Sequence, residues 1–265
     1  MGIHIQNKNT GFQYEQYTPD FIDYWDDLVG WELREKAESG FYLRLLNAYG
    51  SKTVADVACG TGFHSISLAK CGFEVTATDG SKNMVKKTSE NARQLGVNLK
   101  DTRTADWINL SRYLGKNSFD AVICLGNSFT HLFEHEARRD ALGEFYKVVK
   151  PGGVVVIDHR NYDSMLEHGY TSKHNYYYSG KGVDAYPAEL NRHLARFEYV
   201  FPDGAKFQLK MYPLRQGYIS HLLEDAGFVN VDRYGDFEKP FDRNEVDFIQ
   251  QVAYKPKKAN SDLHY

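Results

Sequence analysis

The stretch Val54-Ala55-Asp56-Val57-Ala58-Cys59-Gly60-Thr61-Gly62-Phe63-His64-Ser65 decides the fold. A short apolar run holding one acid gives way to two spaced glycines and then to helix-forming residues. Residues 53–58 read as a buried strand, and 64–72 as a short helix closed by Gly72. A strand, a glycine turn and a helix together place backbone N–H groups and the positive end of a helix beside a ligand. The glycines let that ligand come close to the main chain. The segment is GxGxxS, not GxGxxG, so it lacks the third glycine that lets the helix pack closely in dinucleotide binders. Asp79 ends the next strand, 19 residues after Gly60. A carboxylate there accepts both hydroxyls of a ribose, which suits an adenosine-bearing cofactor. A glycine turn alone also serves as a plain structural turn, so the rest of the chain must decide.

Working outward, residues 18–48 read mostly as helix, with Phe21, Trp25, Leu28 and Val29 at helical spacing. Residues 74–79 read as a strand, and 81–96 as a helix opened by a serine cap and ended by Gly96. Residues 119–127 form a strand and 138–150 a helix stopped by Pro151-Gly152-Gly153. Residues 154–160 are the next strand. Strands alternating with helices imply a parallel sheet covered on both faces, with its ligand at the carboxyl ends of the strands. Residues 161–215 break this rhythm. NYYYSG, RHLARFEYVFPDG and AKFQLKMYPL are short and β-prone, and read as antiparallel strands inserted into the core. A helix ending at Gly227 and a last strand pair, VNVDRYGDF and DFIQQVAYKPK, complete the core. The organisation expected is a helical segment over 1–48, an α/β core over 49–160, a β-rich insert over 161–215, the end of the core over 216–254 and a polar tail over 255–265, frayed after Lys255.

The whole chain agrees with a globular reading. Its 265 residues are 42% hydrophobic and 25% charged, enough for one large domain. A net charge of −3 offers no broad basic surface to nucleic acid. Cys59, Cys71 and Cys124 are scattered, which argues against a disulfide framework or structural zinc. The N-terminus lacks the apolar run of a signal peptide, and no segment has the length of a membrane span. The expected setting is the reducing cytoplasm. Nineteen tyrosines against 16 phenylalanines suit a polar, aromatic-walled pocket as well as ordinary packing.

Taken in order, DVACGTGFHS (56–65), TATDGS (76–81), ADW (105–107), FDAVICLGNSFTHL (119–132) and KPGGVVVIDHRNYD (150–163) resemble the class I S-adenosylmethionine-dependent methyltransferases. ICLGNSFTHL and IDHRNYD look more narrowly like the glycine and glycine/sarcosine N-methyltransferases. The likeness runs over residues 18–254. It implies an α/β fold: a Rossmann-like class I methyltransferase sheet, with an N-terminal helical lid and a small antiparallel β insert covering the substrate site. It implies S-adenosyl-L-methionine as cofactor and S-adenosyl-L-homocysteine as its product, with no metal. The partner is a small amino acid, glycine or sarcosine, methylated in line on its amine as a step in betaine synthesis.

Residue by residue, the resemblance puts Asp79 on the ribose and Ala58, Gly60 and Gly62 around the methionine part. Arg34 on the N-terminal helix meets the cofactor carboxylate. Asp106 and Trp107 flank the adenine; vertebrate members carry Asn at the position of Asp106. Leu125 supplies backbone contacts, Asn127 faces the transferred methyl, and His131 lies just beyond. Arg160 captures the substrate carboxylate, for which a planar guanidinium is matched bidentately. Without the family, a surface ion pair of Arg160 with Asp158 or Asp163 explains that residue equally. Tyr178, Tyr199 and Tyr212 line the substrate pocket, with the register at Tyr176–Tyr178 open by one or two positions. Asn127, Arg160 and Tyr178 form the catalytic set. Trp25 and Trp31 fall on the lid, where core packing of Trp25 is the competing reading.

The histidines, His64 and His159 among them, have no metal-ligand spacing, and most of them read as surface or structural residues. Close rivals are a sarcosine/dimethylglycine enzyme and a glycine-only enzyme that tunes cofactor levels. More distant ones are a nicotinamide oxidoreductase and a non-catalytic module that holds the cofactor or a folate. The sequence leaves the oligomeric state open.

Overall fold

The computed structural model describes residues 16–172 and 180–257. Four short helices open this part: α1 (Pro19–Asp23), α2 (Trp25–Val29), α3 (Trp31–Glu38) and α4 (Phe41–Ala48). Thr18 caps the first, its hydroxyl accepting the Phe21 N–H at 3.3 Å, and Pro19 occupies the first helical position. The helical reach expected over 18–48 is broken where the backbone turns left-handed, at Gly30 (φ 60°) and at Ser39 and Gly40 (φ 44° and 72°). Phe21, Trp25, Leu28 and Val29 all face the core.

The core then alternates: β1 (Thr53–Asp56), α5 (Phe63–Lys70), β2 (Glu74–Asp79), α6 (Lys82–Gln94), β3 (Asp101–Thr104), α7 (Leu110–Leu114), β4 (Phe119–Cys124), α8 (His135–Val148) and β5 (Val149–Arg160). After it come α9 (Tyr162–His168), β6 (Asp184–Leu190), β7 (Ala195–Val200), β8 (Lys206–Met211), α10 (Gln216–Asp225), β9 (Val229–Gly235) and β10 (Phe248–Tyr254). The main sheet runs β3-β2-β1-β4-β5-β10-β9. The first five strands pair in parallel, while β10 lies antiparallel to both neighbours. Strand order reverses between β1 and β4, and such a switch point opens a cleft at the carboxyl ends of the strands. Alternate residues of β4 and β5 feed two cores. Val122, Cys124, Val155 and Ile157 join the larger, and Ala121, Ile123, Val154 and Val156 the smaller, under α4 and α5.

The second sheet, β6-β7-β8, is antiparallel and lies between α9 and α10 in sequence. Its inner face buries Ala195, Phe197, Tyr199, Leu209 and Met211. The N-terminal helices pack onto it: Phe21 stacks on Phe207 at 4.5 Å and Tyr24 meets Phe201 at 4.7 Å. The N-terminal helices and the small sheet thus share one packed aromatic interface.

Several expectations need correction. The helix expected over 138–150 ends at Val148, and Pro151-Gly152-Gly153 belongs to β5. A Cβ on Gly153 would lie 2.4 Å from the Asp120 carbonyl, so glycine is needed for strand contact there. The β-rich insert also opens with a helix: Asn161 Oδ1 accepts the Ser164 N–H and starts α9. Of NYYYSG only Gly180 is described, in a 3-10 turn; Tyr176, Tyr177 and Tyr178 lie outside the described residues. The third strand is instead β6, which carries Pro187 on an edge where a missing N–H is tolerated. The polar edge strand β3 has no counterpart in the sequence reading. Lys255, at the boundary of the polar tail, is anchored: its ammonium is buried and donates to Asn117 Oδ1 and to the carbonyls of Tyr146 and Val149 at 2.5–2.8 Å.

Candidate active site

The glycine turn is held from beneath by two acids. Asp56 Oδ2 accepts the Ser65 hydroxyl at 2.6 Å and Oδ1 the Ala58 N–H at 3.3 Å. Asp79 Oδ2 accepts the Gly60 N–H at 3.0 Å, and its Oδ1 the Ser81 N–H at 2.8 Å. Burial pushes both carboxyls up, Asp79 to about 6 against the backbone N–H groups of Ser81, Gly60 and Gly80 that favour its ionised form. Gly60 and Gly62 have φ of 55° and 101°, conformations that L side chains resist. A Cβ on Gly62 would also press to 3.0 Å on Thr88.

Above this turn lies a cleft with about 750 Å³ of empty volume, part of it open to solvent. Trp25, Arg34, Ala58, Gly60, Asp79, Trp107, Leu125 and His131, all expected there, line it. Gly62 sits just behind the wall as the cap of α5. Asp106 caps the turn at Trp107, accepting the Ile108 N–H at 3.2 Å, and burial raises its carboxyl. The Trp107 indole donates to the Val57 carbonyl at 2.6 Å, which locks its ring against β1. Trp25 serves both readings offered for it: it packs on Phe21 at 5.3 Å and lines the cleft. Trp31 turns aside, donating to Asp26 at 3.2 Å and packing on Phe63 at 5.6 Å.

Arg34 is buried and bound through Nε to Glu38 at 2.9 Å; a second nitrogen lies 3.9 Å from Asp158. Glu38 also meets His64 at 2.9 Å. Burial works to raise Glu38, but His64 and Arg34 outweigh it and hold the carboxyl below its usual range. His131 meets the Tyr17 hydroxyl at 2.7 Å, and burial lowers the imidazole to about 4, which leaves it neutral at physiological pH.

Next to the cleft stands a second group. Asn127 is buried with left-handed backbone (φ 62°). Its amide nitrogen contacts Tyr162 Oη at 3.0 Å and Met211 Sδ at 2.9 Å. Its carbonyl accepts the Arg160 N–H at 3.0 Å. The Arg160 guanidinium is sandwiched between Phe197 at 4.4 Å and Phe248 at 5.2 Å. Asp163 is engaged by Arg215 at 2.6 Å. Burial pushes the Tyr162 phenol up to about 12, so it stays a neutral donor. Tyr199 is buried beside Phe21 and Phe197. The Tyr212 ring is stacked under Arg138 at 4.0 Å, and its N–H is tied to the Thr130 carbonyl.

Sequence reasoning missed Tyr17, His64, Met84, Asp158 and Tyr162. His64, read as surface or structural, lines the cleft and is held by Glu38. Asp158 carried a signal, an acid inside the apolar run VVVID, since such residues are seldom buried without a partner. Tyr17 and Met84 carried none. Among the described residues no group of three His, Cys, Asp or Glu could hold a metal ion. No helix there is long and apolar enough to cross a membrane.

A glycine turn at the switch point, an acid ending β2 and a reversed last strand together define a Rossmann-like methyltransferase. Residues 54–153 match the family described as a methyltransferase domain. A solved S-adenosylmethionine-dependent methyltransferase from Clostridium acetobutylicum superposes with a TM-score of 0.69 at 17% identity, over 89% of this chain and 98% of that one. The chain is 45% identical to the glycine/sarcosine N-methyltransferase of Halorhodospira halochloris, over 94% of this chain and 92% of that protein. It is 43% identical to the glycine/sarcosine/dimethylglycine N-methyltransferase of Actinopolyspora halophila, over 98% of this chain but 46% of that longer protein. The chain belongs to the glycine/sarcosine N-methyltransferase family.

Proposed function

We propose that the protein methylates glycine to sarcosine and sarcosine to dimethylglycine with S-adenosylmethionine, as steps of cytoplasmic betaine synthesis. One observation carries this reading: Gly126 and Ser128 line the Asp79 cleft, and Asn127 between them accepts the backbone N–H of the buried Arg160.

The cleft residues fit the cofactor. The Asp79 carboxylate, held by backbone N–H groups, still has acceptor capacity for ribose hydroxyls. Met84, Val57, Trp107 and Leu125 offer an apolar slot for a flat ring, and Arg34 offers a cation for a carboxylate. The cofactor supplies a methyl group on a sulfonium, which needs no activation by the protein.

The protein's own work is to bind, orient and exclude water. Arg160 takes the acceptor carboxylate, its fork held flat between two rings. Asn127 and Tyr162 place oxygen atoms where the amine must be aimed. The acceptor amine enters as the free base, its proton left to solvent, attacks the methyl carbon as the sulfur–methyl bond breaks, and needs no dedicated general base, so positioning carries the catalysis. Lid and insert close over the site and dry it. Tyr178, Tyr199 and Tyr212 belong to the insert side of this reading; Tyr199 supports the wall, and Tyr212 acts through Arg138. Three free cysteines, two of them buried, agree with a reducing compartment.

The test offers glycine, sarcosine and dimethylglycine separately and measures S-adenosylhomocysteine release, with products identified by mass. Turnover of glycine and sarcosine is expected. Turnover of dimethylglycine alone would move the enzyme to the last methylation, and turnover of none would overturn the reading.

A further inference from the structure

We propose that Asp158 is a positioning residue that couples the cofactor side of the cleft to the acceptor side. This rests on the function proposed above. Asp158 is fully buried near the carboxyl end of β5. Its Oδ1 accepts the backbone N–H of Asn127 at 2.7 Å. Gly126 and Asn127 are both left-handed (φ 78° and 62°), a turn that takes their N–H groups off the sheet ladder. The carboxylate supplies an acceptor for the second of them and fixes where Asn127 stands. Asn127 in turn holds the Arg160 N–H.

The other oxygen looks toward the lid. Asp158 Oδ2 accepts the Tyr42 hydroxyl at 3.2 Å and lies 3.9 Å from the Arg34 guanidinium. One buried carboxylate therefore touches a residue of α3, a residue of α4 and the loop after β4. Helix α3 is bounded on both sides by left-handed breaks, Gly30 before it and Ser39-Gly40 after it. Breaks of that kind let a short helix shift as a unit. A shift of α3 changes the distance from Arg34 to Asp158, and with it the pull on Oδ2 and the position of Oδ1 beneath the Asn127 N–H. Filling the cleft against Arg34 thus alters the placement of Asn127 and Arg160. By linkage, each ligand then tightens the other by the same factor.

Asparagine at 158 separates the two halves of the device. Its carbonyl still accepts from Asn127, but its amide faces two donors, Arg34 and Tyr42. The measurement is glycine affinity by calorimetry, with and without S-adenosylhomocysteine, which allows no turnover. The wild type is expected to bind glycine about fivefold or more tightly when S-adenosylhomocysteine is present. In Asp158→Asn that ratio falls to within about twofold of one. A merely structural role would lower melting temperature and both affinities together and leave the ratio unchanged, which would overturn the proposal. If Asp158→Asn does not fold, Tyr42→Phe decides: it keeps the ring, removes one contact to Asp158 and should reduce the ratio at least about twofold. An unchanged ratio there overturns the coupling. A wild type that binds glycine equally with and without S-adenosylhomocysteine overturns the coupling alone. A wild type that binds no glycine in either state overturns the functional reading beneath it.

Discussion

The side-chain carbonyl of Asn127 accepts the backbone N–H of Arg160 at 3.0 Å, which joins the loop after β4 to the end of β5. The bond uses the Arg160 main chain, so truncating that side chain leaves it in place. Arg160→Ala therefore removes the guanidinium without moving Asn127. Losing a buried, charge-assisted partner for a carboxylate costs roughly 2–5 kcal/mol. That corresponds to about a 30-fold to several-thousandfold rise in acceptor KM. Affinity for S-adenosylhomocysteine, measured by calorimetry, should change less than about threefold. Equal loss of both would remove Arg160 from its assigned role.

Asn127 holds φ at 62° without being glycine. A left-handed conformation costs an L residue about 1–2 kcal/mol, and the asparagine side chain offsets that through Arg160, Tyr162 and Met211. Asn127→Gly loses these bonds but keeps the backbone relaxed. Asn127→Ala loses them and keeps the strain. The alanine variant should be less stable by about 1 kcal/mol in urea unfolding, while both variants lose most of kcat. Equal stability of the two would show that strain at this residue is unimportant.

What was legible in the sequence follows from what each residue needs. The glycine turn and Asp79 could be read because positive φ and a strand-ending acid leave marks in the composition of a short segment. Buried strands β1, β2, β4 and the later half of β5 showed as apolar runs. β3 and β6 did not, since edge strands pack on one side only and accept Asp101-Thr102-Arg103-Thr104 or a proline. The segment Pro151-Gly152-Gly153 looks like a helix stop, yet its glycine serves a contact with the Asp120 carbonyl that no local pattern encodes. Site residues that act through side chains across the fold were the hardest. Tyr17 reaches His131 over 114 positions, and Tyr42 reaches Asp158 over 116.

Gly62→Ala should destabilise the protein by about 1–3 kcal/mol, because φ is 101° and the new Cβ would sit 3.0 Å from Thr88 and 3.1 Å from Ile66. Gly143→Ala is the matched control. That glycine lies inside α8 with nothing within 4 Å of its Cβ position, so alanine should stabilise by up to about 1 kcal/mol. Urea midpoints of the two variants should move in opposite directions. A Gly62→Ala midpoint at or above wild type would mean that the turn tolerates a side chain after all.

Asp79 sets the last expectation, a pH dependence of cofactor affinity. Burial raises its carboxyl from 3.8 to about 6. The folded state therefore binds more protons than the unfolded chain between these values. The resulting stabilisation is fully present below pH about 3.8 and is lost as pH rises through about 6. Ligand binding runs the other way. Ionised Asp79 accepts from both hydroxyls of a ribose, whereas the protonated acid has one oxygen occupied by its own proton. Affinity for S-adenosylhomocysteine should be flat above pH 7 and fall toward tenfold per unit below about 6. Asp56, also buried and raised, lies in the same turn and titrates beside it. Asp79→Asn separates the two, since it should bind weakly at every pH with the inflection gone. An inflection that survives in Asp79→Asn would assign the titration to Asp56 and leave Asp79 without the role given to it here.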